Sequence, residues 1–141
     1  MYDILHDLSI HASPQKIFEA ISQAKHLNNW WTNECEGETV LDATYRLYFT
    51  PEYDWKAKVS ICEAPIRFEL QMTASDADWD PTRFGFEIQE KVNSTLVSFY
   101  HTNWQSTNHH YRRTSYSWAI LLHGLKRYVE KGEVVPFGER G

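Results

Sequence analysis

The sequence has little cysteine, no long apolar run and no excess of positive charge, and each shortage excludes a class of protein. Its two cysteines, Cys35 and Cys62, have neither metal-ligand nor redox spacing and are too few for a disulfide framework, so we expect both thiols to be reduced. The longest apolar run, Trp118–Leu122, is far shorter than the roughly 20 residues that span a bilayer. The N-terminus also lacks the basic and apolar regions of a secretory signal. We therefore predict a cytoplasmic protein with no membrane insertion.

Charge and motif content exclude further classes. The chain has 14 basic and 19 acidic residues and a net charge of −5, which repels a phosphate backbone when no basic stripe is segregated onto one face. We predict no nucleic-acid partner. The sequence contains no G-x-S-x-G elbow, Walker-type glycine loop, dinucleotide fingerprint or H-E-x-x-H, which removes most hydrolases, kinases, oxidoreductases and metalloproteases. We predict no cofactor and assign no catalytic residue.

Four histidines near the C-terminal third invite a metal hypothesis, which their spacing does not support. His109 and His110 are adjacent and would point about 100° apart on a helix. Neither His101 nor His123 completes an i, i+4 pair with them, which is the usual helical ligand spacing. We predict no metal site among them.

An acidic segment resembles a calcium loop only in part. Asp76, Asp78, Asp80 and Glu87 match oxygen-ligand positions, but Pro81 stands where such a loop needs glycine for its sharp bend. We interpret the segment as an acidic hairpin loop.

Aromatic residues are abundant. Six Trp, eight Tyr and seven Phe make up 15% of 141 residues, more large flat side chains than a core of this size needs. We expect some of them to line a surface or a cavity. The length, with a mass of 16.7 kDa, predicts a single domain over residues 1–141.

The hydropathy pattern predicts the order of elements. Period-two alternation indicates a strand over residues 2–11, and Ser13 with Pro14 predicts the start of a helix. A short helical turn over 26–31 and a polar loop around 36–37 follow. Five alternating runs, at 41–49, 53–61, 66–72, 84–88 and 95–101, predict five more strands. A stripe at steps of three and four predicts a last helix of about 25 residues that ends at Gly132. The stripe consists of Tyr111, Ser115, Trp118, Leu122, Leu125 and Val129.

This order, β-α-α-β5-α, predicts an α+β fold. One apolar face of the sheet needs a cover, and only the last helix is long enough, so we expect a curved antiparallel sheet around that helix. The inner positions carry large side chains, which either fill the gap between sheet and helix or line it.

Three segments resemble one family. Residues 10–21, followed by Leu27 and Trp30-Trp31, resemble the first strand and the "A-S-P-E-K-V-F-E-A-I" helix start of the START-like or SRPBCC superfamily, the helix-grip fold of the birch-pollen-allergen-like proteins. Residues 95–104 resemble the "T-x-L-x-L-x-H-x-G-W" strand of its activator-of-heat-shock-protein-90-ATPase-like branch, with Asn103 in place of glycine. Residues 118–132 resemble that branch's "W-x-x-x-L-x-x-L-K-x-Y-x-E-x-G" helix. The resemblance implies a cavity that binds lipids, sterols, polyketides or other apolar molecules.

We therefore predict that a small apolar or aromatic molecule binds between the sheet and the last helix. His101 shares the alternation of Val97 and Phe99 and is expected near the cavity mouth, unless it is a structural histidine bonded to a loop. His101, Tyr45, Tyr111 and Ser115 are the expected polar handles. The full set of predicted ligand-binding residues is Trp30, Tyr45, Leu47, Phe49, Trp55, Phe68, Leu70, Phe86, Phe99, His101, Trp104, Tyr111, Ser115, Trp118 and Leu122.

Two alternatives stay open. An interaction module would act on a chaperone or another protein through exposed aromatics around Trp30 and Trp31, as a monomer or a homodimer. An enzyme for cyclisation or dehydration would need an inner acid or base, for which only His101 is placed. An open cavity favours ligand binding or catalysis, and a filled core favours the interaction module.

Overall fold

Seven strands form one antiparallel sheet in the computed structural model, which describes all residues from Met1 to Gly141. Their spatial order is β1-β7-β6-β5-β4-β3-β2, so β1 joins the sheet at the far edge beside β7. This is the α+β helix-grip architecture that the sequence predicts. The strands are β1 (Tyr2–Ile10), β2 (Glu34–Glu36), β3 (Thr44–Thr50), β4 (Tyr53–Glu63), β5 (Arg67–Ala74), β6 (Arg83–Glu90) and β7 (Thr95–Trp104).

Three helices accompany the sheet, α1 (Pro14–Ser22), α2 (Ala24–Leu27) and α3 (His109–Lys131), and a 3-10 helix follows at Phe137–Glu139. The Ser13 hydroxyl accepts a hydrogen bond from the Lys16 amide at 3.2 Å and begins α1. Gly132 ends α3 with φ of 70°, which glycine adopts at little cost. Both boundaries agree with the sequence prediction.

The long helix α3 covers the concave face of the sheet. Its buried residues are Thr114, Trp118, Leu122, Leu125 and Val129, at steps of three and four. The sequence prediction placed Ser115 in this stripe, but Thr114 is the buried residue because it lies one full turn, four residues, before Trp118.

Three sequence predictions need correction. The expected five strands after α2 are six, because β2 has only three residues, too few to establish a period in the sequence. Leu41 and Ile66 belong to no strand and are 58% and 56% exposed. In both cases the apolar alternation of the sequence continues beyond the strand into a turn. The turn at Ile66 is closed by a hydrogen bond from the Ile66 amide to Glu63 O at 2.7 Å.

Side chains of α3 cover the outer edge of β1. The Tyr111 hydroxyl donates to Asp3 O at 2.8 Å, and the Lys126 ammonium donates to Ser9 O. These bonds occupy backbone acceptors that an edge strand would otherwise expose. None of the helices has the length and apolar character of a membrane-crossing helix.

Candidate functional site

Side chains fill the space between the concave face of the sheet and α3, which we call the centre of the grip. Between the sheet and α3 the cavity volume is only about 10 Å³, which is at the lower limit for a single water molecule. Its walls are the apolar side chains of Ile21, Leu27, Trp30, Trp31, Phe68, Leu70, Phe84, Phe86 and Trp118.

Most of the predicted ligand-binding residues pack within this filled core. A ligand would reach them only if the core opened, since each is at most 3% exposed. They are Trp30, Tyr45, Leu47, Phe68, Leu70, Phe86, Phe99, His101, Trp104 and Leu122.

An open pocket of about 500 Å³ lies beside the core. It is bounded by the β3–β4 hairpin, the loop between β5 and β6, one face of α3 and the C-terminal segment. Phe49, Trp55 and Trp118 are the predicted site residues that line it. The complete lining is Trp31, Phe49, Tyr53, Trp55, Trp79, His110, Arg113, Thr114, Ser117, Trp118, Leu121, Phe137, Gly138, Arg140 and Gly141.

Five aromatic side chains of this pocket form a closed series of ring contacts, which we call the aromatic circuit: Trp31, Phe49, Trp55, Trp79 and Trp118. The ring centroids are 5.4 Å apart for Trp31–Phe49, 5.8 Å for Phe49–Trp55, 4.9 Å for Trp55–Trp79, 6.4 Å for Trp79–Trp118 and 5.2 Å for Trp31–Trp118. These separations lie in the range of favourable aromatic pairs. The circuit therefore gives the pocket an extended apolar wall, whose neighbouring rings are inclined by 31–70° to one another.

Sequence reasoning missed Trp79, which it left in a hairpin connection. The residue is 6% exposed, because the Asp76 carboxylate accepts from the amides of Asp78 at 3.0 Å and Trp79 at 2.8 Å and turns the loop back. Asp80 likewise accepts from the Ser75 amide at 2.7 Å. Aspartate side chains often accept from the backbone two residues further on, which forms an Asx turn. A tryptophan directly after such a turn could have suggested an inward-folded loop.

The acidic loop is bound to the start of α3. His110 Nδ1 lies 2.9 Å from Asp78 Oδ2 and 3.8 Å from Asp76 Oδ2. No group of three or more His, Cys, Asp or Glu side chains is arranged to hold a metal ion.

His101 does not lie at a cavity mouth, and this expectation is wrong. It is 0% exposed and stands in a chain of hydrogen bonds. Trp118 Nε1 can only donate, so His101 Nδ1 accepts from it at 3.1 Å. His101 Nε2 then carries the proton and donates to Thr82 Oγ1 at 2.8 Å, and Thr82 donates to Trp79 O at 2.6 Å. The chain holds two members of the aromatic circuit in place.

This arrangement keeps His101 neutral. Burial, with a smaller contribution from the charge of His110, lowers the pKa of His101 to about 3. Protonation of His101 Nδ1 would also place two N–H donors, those of His101 and Trp118, opposite each other and break their hydrogen bond. His101 is therefore a structural histidine bonded to a loop, the alternative that the sequence left open.

The other expected polar handles are bonded within the protein. Tyr45 donates its hydroxyl to Ser22 O at 2.6 Å, and burial raises the pKa of Tyr45 to about 12. Tyr111 donates to Asp3 O, and the Ser115 hydroxyl lies 3.5 Å from His6 Nε2. None of the three lines the open pocket, where the polar side chains are instead those of α3 and the C-terminal segment.

Sequence comparison identifies one family. The family model described as Activator of Hsp90 ATPase homolog 1-like protein matches residues 11–130, which is most of the chain. No functionally curated protein gives a significant match.

Solved structures share the fold over nearly the whole chain. The solution structure of the Aha1 dimer from Colwellia psychrerythraea has 30% identity and a TM-score of 0.86, covering 94% of this chain and 99% of that one. Protein SSP2350 from Staphylococcus saprophyticus has 15% identity and a TM-score of 0.80, covering 95% and 96%. DynU16, a putative protein in the dynemicin biosynthetic locus, has 15% identity and a TM-score of 0.77, covering 94% of this chain and 48% of its own. The last two similarities concern the fold alone.

Proposed function

We propose that this chain, which belongs to the Activator of Hsp90 ATPase homolog 1-like family of the START-like superfamily, binds one small aromatic molecule in its open pocket. The aromatic circuit is the observation that carries this proposal. A volume of about 500 Å³ falls within the range of small-molecule sites, which are mostly apolar and have a few polar groups. Large aromatic faces on the pocket side offer stacking or edge contacts to a flat ligand.

The proposed site differs from the centre of the grip. The core beneath α3 holds about 10 Å³ and accepts no ligand without repacking, which is costly in a close-packed interior. The open pocket requires no such change. We therefore place the ligand at the Trp79 side of α3, in contact with the partly exposed Phe49 and Trp55 from the originally predicted set. Trp118, which is 1% exposed, belongs to the inner wall of the pocket.

The alternative of an interaction module has less support. The filled centre between the sheet and α3 is the outcome that favours this alternative. Its predicted interaction surface, however, consists of exposed aromatics around Trp30 and Trp31, and these side chains are only 3% and 6% exposed. Trp30 donates its indole N–H to Ala20 O at 2.9 Å, as a packed tryptophan does. A chaperone partner would have to bind elsewhere on the surface.

The catalytic alternative depended on His101, which is not free to act as an acid or a base. His101 was the one candidate, and both of its ring nitrogens bond to neighbouring side chains. Acid–base catalysis needs a group within reach of the substrate proton. Our proposal is therefore binding, without a reaction.

We also assign the protein to the cytoplasm. Cys35 and Cys62 are free thiols, as expected in a reducing compartment. Burial raises the pKa of Cys35 to about 12, so this thiol is a poor nucleophile.

Isothermal titration calorimetry with naphthalene-2-carboxamide, a neutral flat probe, tests ligand binding. Ser117→Phe places a phenyl ring in the pocket, whereas Ala119→Phe adds the same ring at an exposed position of α3 outside the lining. We expect wild type and Ala119→Phe to bind one equivalent and Ser117→Phe to lose that binding while folded. Equal binding by both variants would overturn the proposal, and so would a wild type that binds neither this amide nor the corresponding carboxylate.

A further inference from the structure

We infer that the open pocket selects a planar aromatic acid, with its ring against the aromatic circuit and its carboxylate held by Arg113 and Arg140. This inference rests on the proposed function and adds the chemical class of the ligand. It follows from the charges around the pocket, from the missing counter-ions of the two guanidinium groups and from the position of each arginine.

The pocket is cationic in a chain that is acidic as a whole. The net charge of the protein is −5, yet no aspartate or glutamate side chain lines the pocket, while Arg113 and Arg140 do. His110 also lines it, but this ring is bonded to Asp78, which lies outside the lining. The side-chain charge facing the ligand is therefore that of the two arginines, which stand beside Gly141 in the lining.

Neither arginine has a counter-ion in the protein. The nine ion pairs of the structure include Arg46, Arg67 and Arg127, and none includes Arg113 or Arg140. Arg140 is half-buried beside apolar walls, and such a cation without a partner gains more from an anion than a solvated surface cation does. Arg113 is exposed and likewise has no ion-pair partner.

Arg140 is held in place by neutral acceptors. Its Nε donates to Val135 O at 2.8 Å and its Nη1 to Thr32 O at 3.0 Å, and its Cζ lies 5.7 Å from the centre of the Phe137 ring. A guanidinium has five N–H donors, so these bonds orient the group and leave donors for a carboxylate. Partial burial lowers the pKa of Arg140, the direction expected for a cation that has lost water without gaining an acid.

Arg113 approaches the pocket from a different element. It lies on α3 four residues before Ser117, and residues four apart share one face of a helix. Both line the pocket, as does Thr114. A carboxylate between the two arginines would thus be contacted by α3 on one side and by the C-terminal segment on the other.

An aromatic box can also bind a quaternary ammonium ion, and the charges argue against that ligand here. A cation would meet two guanidinium groups and no carboxylate side chain in the lining. The same aromatic faces accommodate a neutral or anionic ring, and only the anion gains charge-assisted hydrogen bonds.

The test compares naphthalene-2-carboxylate with naphthalene-2-carboxamide, which have the same ring and differ in charge, by calorimetry at pH 7. We expect the carboxylate to bind about tenfold tighter or more, as charge-assisted hydrogen bonds allow, and the preference to shrink with added salt. Arg113→Gln and Arg140→Gln should each remove most of the preference. Arg112→Gln, at the neighbouring exposed position outside the pocket, should keep it.

The outcomes separate the two proposals. If the amide binds as well as the carboxylate, the acid preference is wrong and the proposed function stands. If neither probe binds, both are wrong. If Arg112→Gln lowers the preference as much as Arg113→Gln does, general surface charge explains it and the inference fails. If Arg140→Gln unfolds at a lower temperature than wild type, Arg140→Lys serves as the second variant. Lysine keeps the positive charge, so Arg140→Lys must still bind the carboxylate more tightly than the amide.

Discussion

At the scale of single residues, His101 links the fold to pH. Its pKa of about 3 lies below the value of about 6.5 in an unfolded chain. Below pH 6.5 the unfolded state therefore binds a proton that the folded state does not, and stability falls as the pH drops from 6.5 towards 3.

We expect the free energy of unfolding to fall by about 3 kcal/mol more in wild type than in His101→Gln between pH 7 and 4.5. Glutamine keeps polar atoms for Thr82 and Trp118 but does not titrate. Urea unfolding at both pH values measures the difference. Parallel losses in the two proteins would show that His101 is not the group responsible.

Two glycines should respond in opposite ways to alanine. A Cβ at Gly85 would lie 2.6 Å from Phe68 O and 2.7 Å from the Tyr100 hydroxyl oxygen, and that hydroxyl donates to the buried Glu69 at 2.6 Å. Gly85→Ala should destabilise by about 1–3 kcal/mol. At Gly124 a Cβ meets nothing within 4 Å, so Gly124→Ala should stabilise α3 by up to about 1 kcal/mol. Thermal unfolding that ranks the two variants in the reverse order would refute this packing argument.

At the scale of elements, α3 contributes most through Trp118. This side chain is 1% exposed and contacts the rings of Trp31, Phe99 and Trp79. Trp118→Ala should cost about 3–5 kcal/mol, whereas Tyr116→Ala, at a position 70% exposed, should stay within about 0.5 kcal/mol of wild type. Chemical denaturation of both variants provides the comparison, and a similar loss in the two would mean that α3 is not anchored through Trp118.

The elements were predictable where the signal is local. The Ser13-Pro14 start of α1 and the Gly132 end of α3 depend on neighbours in sequence, and both were found. The strand β2 was not, because three residues are too few to show a period. Trp79 was missed for another reason: its loop lies against α3 through contacts with His110, some 30 residues away in the chain.

At the scale of the whole molecule, the fold was predictable and the position of the site was not. Alternation along the strands indicates which side chains face inward, and Tyr45, Phe68 and Phe99 do so. Whether inward side chains fill a cavity or line it depends on how elements distant in sequence pack. Here they fill the centre, and an open pocket of about 500 Å³ lies where Trp79, α3 and the C-terminal segment meet.

The most direct test of the account is an NMR titration of the six indole N–H signals with naphthalene-2-carboxamide. Trp31, Trp55, Trp79 and Trp118 line the open pocket, and Trp30 and Trp104 do not. We predict that the first four signals shift with one common saturation curve while those of Trp30 and Trp104 stay nearly constant. No shift at saturating probe, or shifts led by Trp30 and Trp104, would contradict a ligand site in the open pocket.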